Sequence, residues 1–250
     1  MTTVDQARPT MATALAAGIA LVWCTVVGTY VLIDPMLALE GAAVGLISVW
    51  ALTLASDLRR AVRLGRRLDR MSETLTIDGV TVRIIANGTV EAFVLGVVRP
   101  RVYLGDASVV ALDGDELRAV LHHEDHHRRT LAPLRAAAVE AWRRILGRSP
   151  LAHRLLTARL GQLEAAADAH AIRRGVHPGS IARALVKIDP HRAPGLAFAG
   201  AADLRVRALV DAAAGRPARR TTPLPYEWLP LVVAVAVTVA CHLDGVATLL

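Results

Sequence analysis

Three long apolar runs limit what this chain can fold into. Residues 11–33 carry no charged side chain, residues 36–55 form a second run broken only by Glu40, and Leu229 to Leu250 form a third with His242 and Asp244 near its far end. Each approaches the ~20 residues a helix needs to cross a bilayer. Apolar residues make up 54% of the chain but aromatics only 4%, and Ala, Leu and Val dominate, a composition that suits helices. Asp34-Pro35 is a turn signal between the first two runs, so they read as a helical hairpin. A cleaved signal peptide fits less well, because only Arg8 flanks the first run and a second run follows at once.

Positive charge then sets an orientation. The second run leads into Asp57-Leu58-Arg59-Arg60-Ala61-Val62-Arg63-Leu64-Gly65-Arg66-Arg67-Leu68-Asp69-Arg70, and Arg216, Arg219 and Arg220 precede the third. Short Arg-rich loops stay cytoplasmic. The expected arrangement therefore has the N-terminus inside, residues 34–40 outside, residues from about 57 to 225 inside and the C-terminus outside. The net charge of +7 falls mostly where this topology explains it, and Arg59–Arg70 suits an anionic lipid surface. No basic patch interleaved with aromatics and no helix-turn-helix signal is present, so nucleic acid is not an expected partner. Cys24 and Cys241 both fall inside apolar runs and read as packing residues.

The chemistry is concentrated in Leu121-His122-His123-Glu124-Asp125-His126-His127. It contains His-Glu-x-x-His in the register a zinc peptidase needs. On a helix His123 and His127 lie four apart on one face and can reach a single ion. Glu124 directly follows the first of them, where it can act as general base on a water whose pKa zinc has lowered toward ~7. His122 and His126 form a second pair, on a face about 100° away and with no Glu in the same register, so they read as supporting or exposed residues. The plain alternative is a solvated, adventitious His-rich tract.

Two imidazoles and a water leave a tetrahedral ion one protein ligand short. In the Ala-rich stretch Gln162 to His170, Glu164 and Asp168 are four apart and share a helical face. Glu164 can complete a two-His, one-Glu site, with Asp168 orienting a ligand imidazole. His170 sits about 200° round the helix from Glu164 and reads as non-ligating. An exposed helix with spaced acids is the bland alternative.

Elsewhere the pattern is coarser. Leu75 to Ile85 alternates around Asp78-Gly79, predicting a hairpin, and Asn87-Gly88 marks a second turn. Phe93–Leu104 reads as extended, with Pro100 marking an edge or a break. An edge strand there would let a peptide add as a further strand. Asp113 is the expected N-cap of the His-bearing helix, with Glu116 closing a capping box. Residues 131–147 either dip into the membrane interface or pack as an ordinary helix. Pro150 breaks the chain before the Glu164 helix, Pro178 starts another, and Pro190 and Pro194 mark a loop. Arg205 and Arg207 read as solvated surface, with steadying of a substrate or of Asp168 as the alternative role for either.

Taken together, Ala92–Leu104, Asp115–Glu124, Glu164–Asp168, Gly175–Leu185 and Asp203–Leu209 resemble membrane-embedded gluzincins. The nearest likeness is to the BlaR/MecR family of signal-transducing metallopeptidases, with the HtpX/Ste-type membrane proteases as cousins. The likeness covers roughly residues 75–212, in matching order: a Phe-x-x-Gly…Pro-x-x-x-Leu segment, a zinc helix, then Glu-x-x-Ala-Asp. It implies Zn²⁺ on His123, His127 and Glu164, Glu124 as the catalytic residue, Asp168 beside the site, and Phe93 and Gly96 against the substrate. Two departures stand out. Asp125 and His126 replace the usual small or apolar residues between Glu and the second His, which predicts a raised Glu124 pKa or competition for the metal. The family's sensory members also carry an extracytoplasmic domain after their last span, and this sequence is expected to lack it.

The expectation is thus a mainly α integral membrane protein. Residues 1–56 would form a transmembrane hairpin with spans near 11–33 and 36–55. Residues 57–225 would form a cytosolic zincin-like domain with a small sheet, and residues 226–250 a final membrane helix. Its expected activity is cleavage of a cytosolic or membrane protein, such as a transcriptional repressor. A quality-control protease and a non-catalytic scaffold or metal sensor that kept the fold are the alternatives.

Overall fold

The computed structural model describes residues 35–86, 88–188 and 202–216, together with Trp228 and Val232. The run at 11–33, the run at 229–250 apart from Val232, Asn87, both cysteines and the Pro190/Pro194 loop lie outside the described residues. The chain divides into two compact units, one of residues 1–51 and 228–250, the other of residues 52–227.

Helix α1 spans Pro35–Arg70. Its Glu40–Arg70 stretch is, among the described residues, the one helix long and apolar enough to cross a membrane. At 1.5 Å per residue, the ~20 residues needed for a hydrocarbon core fit well within it. Val44, Leu46, Val49 and Leu52 are exposed on it. In the first unit the indole of Trp228 meets that of Trp50 edge-on, with centroids 5.8 Å apart.

The second unit is mostly helical around one small mixed sheet. Strands β1 (Ser72–Ile77), β2 (Val80–Ile85), β3 (Ala92–Leu95) and β4 (Arg101–Gly105) are followed by helices α2 (Asp106–Ala111), α3 (Gly114–Arg129), α4 (Ala132–Leu146), α5 (Pro150–Arg173), α6 (Pro178–Lys187) and α7 (Ala202–Ala213). The sheet order is β1-β2-β4-β3, with β2 and β4 parallel and the outer pairs antiparallel. Asp78 and Gly79 both take positive φ, as a two-residue hairpin turn requires. The expected extended segment is broken after Gly96. Its first half, β3, is an edge strand packed along α3, and its second half, β4, lies inside the sheet.

Alternation along the strands gives the sheet two working faces. Val80, Val82 and Val102 pack with Leu121 of α3, joined by Val94 and Leu117. The opposite face meets the lower part of α1. There Asp69 accepts a hydrogen bond from the Tyr103 hydroxyl at 2.8 Å, lies 3.2 Å from Arg83 Nε, and pairs closely with Arg101. Burial and the Asp69 charge push the Tyr103 phenol up to about 12.

Helix α3 is buried on several sides. It touches the sheet through Leu121, α6 through Val120, and α5 and α7 through Ala119. Its start is as expected: Asp113 accepts from the Glu116 backbone and Glu116 accepts from the Asp113 backbone. Glu116 also takes Lys187 at 2.6 Å and Arg183 at 3.2 Å, tying α6 to α3. Those contacts, Lys187 first, hold the Glu116 carboxyl at about 2. Residues 132–146 pack as an ordinary helix against α5, with Ala138, Val139, Ala141 and Trp142 at or below 1% exposure.

Gly96 follows β3 with φ +128°, and an added Cβ would lie 2.8 Å from Pro100 Cα and 3.0 Å from the Arg99 carbonyl oxygen. Both neighbours are backbone and cannot swing aside. Gly96→Ala is therefore expected to destabilise the domain by about 2 kcal/mol, lowering its thermal midpoint in detergent by roughly 5 °C. An unchanged midpoint would show that the position is not constrained by backbone.

Candidate metal centre

His123 and His127 emerge from adjacent turns of α3, and Glu164 and Asp168 from adjacent turns of α5. The two helices pack so that these faces meet. His123, His127 and Glu164 are each at most 9% exposed, and Asp168 is 1% exposed. The Nε2 atoms of the two histidines are 3.0 Å apart, His127 Nε2 lies 3.1 Å from Glu164 Oε1, and His123 Nε2 lies 3.3 Å from Glu164 Oε2. Tetrahedral bonds of about 2.05 Å place neighbouring ligand atoms about 3.3 Å apart, close to this triangle. Two imidazole nitrogens and a carboxylate, buried and convergent, form a group that can hold a metal ion.

The ring orientation of His123 is fixed from behind. Its Nδ1 lies 2.8 Å from Asp168 Oδ1. Such a carboxylate selects the tautomer that leaves Nε2 free for a metal. Asp168 is in turn gripped by Arg205 of α7, with Nε donating to Oδ2 and a terminal nitrogen to Oδ1, both at 2.8 Å. Arg205 also reaches Glu164 Oε2 at 3.1 Å. Arg205 is therefore not solvated surface: it takes the alternative role of steadying Asp168, and it supplies one positive charge shared by the two buried acids. Arg207 is exposed.

The charges are mutually dependent. Burial favours the neutral acids, yet His127 and His123 hold the Glu164 carboxyl well below its ordinary range. Burial likewise opposes the Asp168 charge, but His123 and Arg205 hold that carboxyl at about 2. Burial disfavours a charged His123 as well, yet hydrogen bonds to Asp168 and Glu164 push its imidazole up to about 10. Without a metal, a proton on His123 supplies the positive charge that the acids require. The buried Nδ1 of His127 has no hydrogen-bond partner among the described residues.

Glu124 is half-buried at the next position of α3. Burial works against the Arg205 charge, and Asp168, Glu164 and Glu124 all favour it, which brings Glu124 into the electrostatics of the same site. Asp125 behaves differently from the expectation. Its buried carboxylate accepts from Arg128 at 2.6 and 2.9 Å and from Arg129 at 2.6 Å. Burial is outweighed by these two partners, which keep its pKa low. It is held by its own cations and is not among the metal-competent residues.

The second histidine pair turns elsewhere. His122 is 7% exposed, so it is not a surface residue, and its Nε2 lies 3.2 Å from Asp78. His126 stacks obliquely near His170, with centroids 5.0 Å apart. Neither pair member, nor His170, joins the metal-competent group. Phe93 and Gly96 are also not gathered there. Phe93 stacks on Tyr103, centroids 5.4 Å apart, on the sheet face that meets α1, and Gly96 shapes the turn after β3. What β3 offers beside α3 is a backbone edge.

The raised His123 pKa gives a signed expectation. A group at about 10 in the fold against about 6.5 unfolded contributes stability that is full below pH ~6.5 and lost as pH rises through 10. A metal ion must displace that proton. Calorimetric titration of Zn²⁺ into the chelator-treated chain at pH 7, in buffers of different ionisation enthalpy, should report about one proton released per ion. Release of none would contradict the assignment of His123 as a ligand. No family model matches this chain, and neither a curated protein nor a solved structure does.

Proposed function

We propose that this chain is a membrane-embedded zinc-dependent endopeptidase with a zincin-like catalytic domain. The observation that carries the reading is the convergence of His123, His127 and Glu164 in one buried triangle, with Glu124 beside the first ligand. Two-His, one-Glu donor sets with a Glu after the first His suit zinc peptidases. The gluzincin resemblance across residues 75–212 points the same way.

Zinc held by those three groups supplies Lewis-acid polarisation of a scissile carbonyl and lowers the pKa of water toward ~7. The remaining work falls to the chain. Glu124 takes a proton from the attacking water and delivers one to the departing amine nitrogen, so that one water is consumed per peptide bond broken. Asp168 holds His123 in the ligating tautomer, and Arg205 keeps Asp168 and Glu164 charged and in place. The free edge of β3 receives an extended peptide by backbone pairing next to α3.

The membrane setting is part of the proposal. Helix α1 is one span, and the apolar runs at 11–33 and 229–250 supply two more. The arginines of 57–70 and 216–220 favour a cytosolic catalytic domain. The substrate is then a cytosolic or membrane protein, and the BlaR/MecR resemblance suggests a transcriptional repressor whose cleavage relays a signal. Pairing of Asp125 with Arg128 and Arg129 weakens one of the arguments for a non-catalytic scaffold.

The 250-residue chain in detergent, loaded with zinc, should cleave an unstructured fluorescent casein. Glu124→Gln should lower that rate by about 10²–10⁴-fold while its zinc content stays at the wild-type level. Equal rates in the two proteins would overturn the assignment of Glu124 as the proton carrier and, with it, the peptidase reading.

A further inference from the structure

A second cluster of charged groups lies on the face of α3 turned away from the metal triangle. An open cleft of about 580 Å³ runs between the β1–β2 turn, α3 and the C-terminal end of α5. Asp78, Arg118, His122, Arg173, Arg174 and Gly175 line it. Its walls thus carry three guanidinium groups and one imidazole against a single carboxylate.

That carboxylate is already engaged. Asp78 accepts from Arg118 Nε at 3.1 Å and sits 3.2 Å from His122 Nε2. Arg173 and Arg174 are exposed and have no acidic partner among the described residues. A helix dipole favours cations at this end of α5, but that term is worth less than about 1 kcal/mol at an exposed end. It does not account for two unpaired arginines meeting a third and a histidine across a cleft. Their unbalanced charge also reaches inward: burial together with Arg173 and Arg174 depresses the neighbouring His170 imidazole. The His122 side chain is 8% exposed, and its Nδ1 is buried without a partner. Beyond Asp78, no acidic residue among the described residues lines the cleft.

We propose that the cleft binds a phosphate-type oxyanion, held by Arg173 and Arg174 from α5 and by Arg118 from α3. Guanidinium forks match phosphate oxygens two at a time, and three arginines lining one cleft suit a dianion. The cleft volume falls in the range of small-molecule sites, with room for more than one phosphate group. A soluble phosphate ester and a phospholipid headgroup share this chemistry. Occupation would link α3 to the end of α5, the two helices that also carry the metal triangle. The proposal stands apart from the peptidase reading, since neither zinc nor Glu124 enters it.

The test uses the 250-residue chain at low salt, first in neutral detergent with pyrophosphate against sodium chloride of equal ionic strength. Nanodiscs of phosphatidylcholine, with and without phosphatidic acid, form the second arm. Pyrophosphate at a hundredfold excess over Kd should raise the thermal midpoint by roughly 5 °C or more. The double variant Arg173→Gln/Arg174→Gln should weaken binding at least about tenfold. The double variant Arg148→Gln/Arg154→Gln removes the same charge elsewhere and should respond as wild type. A response to phosphatidic acid alone, lost in the cleft variant, identifies a lipid headgroup as the source and supports the site. Absence of any response in both arms, or equal loss in the two double variants, overturns it.

Discussion

The fold of the second unit depends on two carboxylates placed where water cannot solvate them. Glu164 and Asp168 are nearly inaccessible on one face of α5, and isolated charges in such a place would cost several kcal/mol each. Their compensation comes from outside the helix: His123 and His127 on α3, and Arg205 on α7. Three elements far apart in sequence are thereby held to one point. The arrangement needs one further positive charge, which a proton on His123 provides in the metal-free chain and a metal ion provides in its place. Buried ion clusters of this kind do little for net stability but fix which faces meet.

A second charged knot fixes the other side of the domain. Asp69, near the end of α1, gathers Tyr103, Arg83 and Arg101 from the sheet. The sheet's opposite face packs against Leu121, two residues before His123. An uninterrupted line of packed residues thus runs from the Arg-rich end of α1, through the sheet, to the helix that bears the histidines.

Much of this was legible in the sequence because it rests on local geometry. The i, i+4 pairs His123/His127 and Glu164/Asp168, the Asp113–Glu116 capping box and the Asp78-Gly79 hairpin each need only a few residues to specify them. Contacts across the fold were not legible. Arg205 lies 37 residues beyond its partner Asp168; the pairing could be named as an alternative, but no spacing rule linking a cation on one helix to an acid on another could select it over solvated surface. The parallel pairing of β2 with β4, and the face on which Phe93 lies, depend on how the sheet is ordered. Asp125 was readable in principle: Arg128 and Arg129 follow at i+3 and i+4, the spacing at which a helix neutralises an acid. Proximity to Glu124 concealed that simpler role.

The central claim is that the buried triangle is a metal site, and elemental analysis of the detergent-purified chain tests it most directly. Wild type would be measured beside His123→Ala, His127→Ala, Glu164→Ala and His122→Ala, with circular dichroism confirming that each variant is folded. The account predicts about one tightly bound zinc per chain, lost in the first three variants and kept in His122→Ala. Metal that is absent from the wild type, or that follows His122 instead of the triangle, would contradict it.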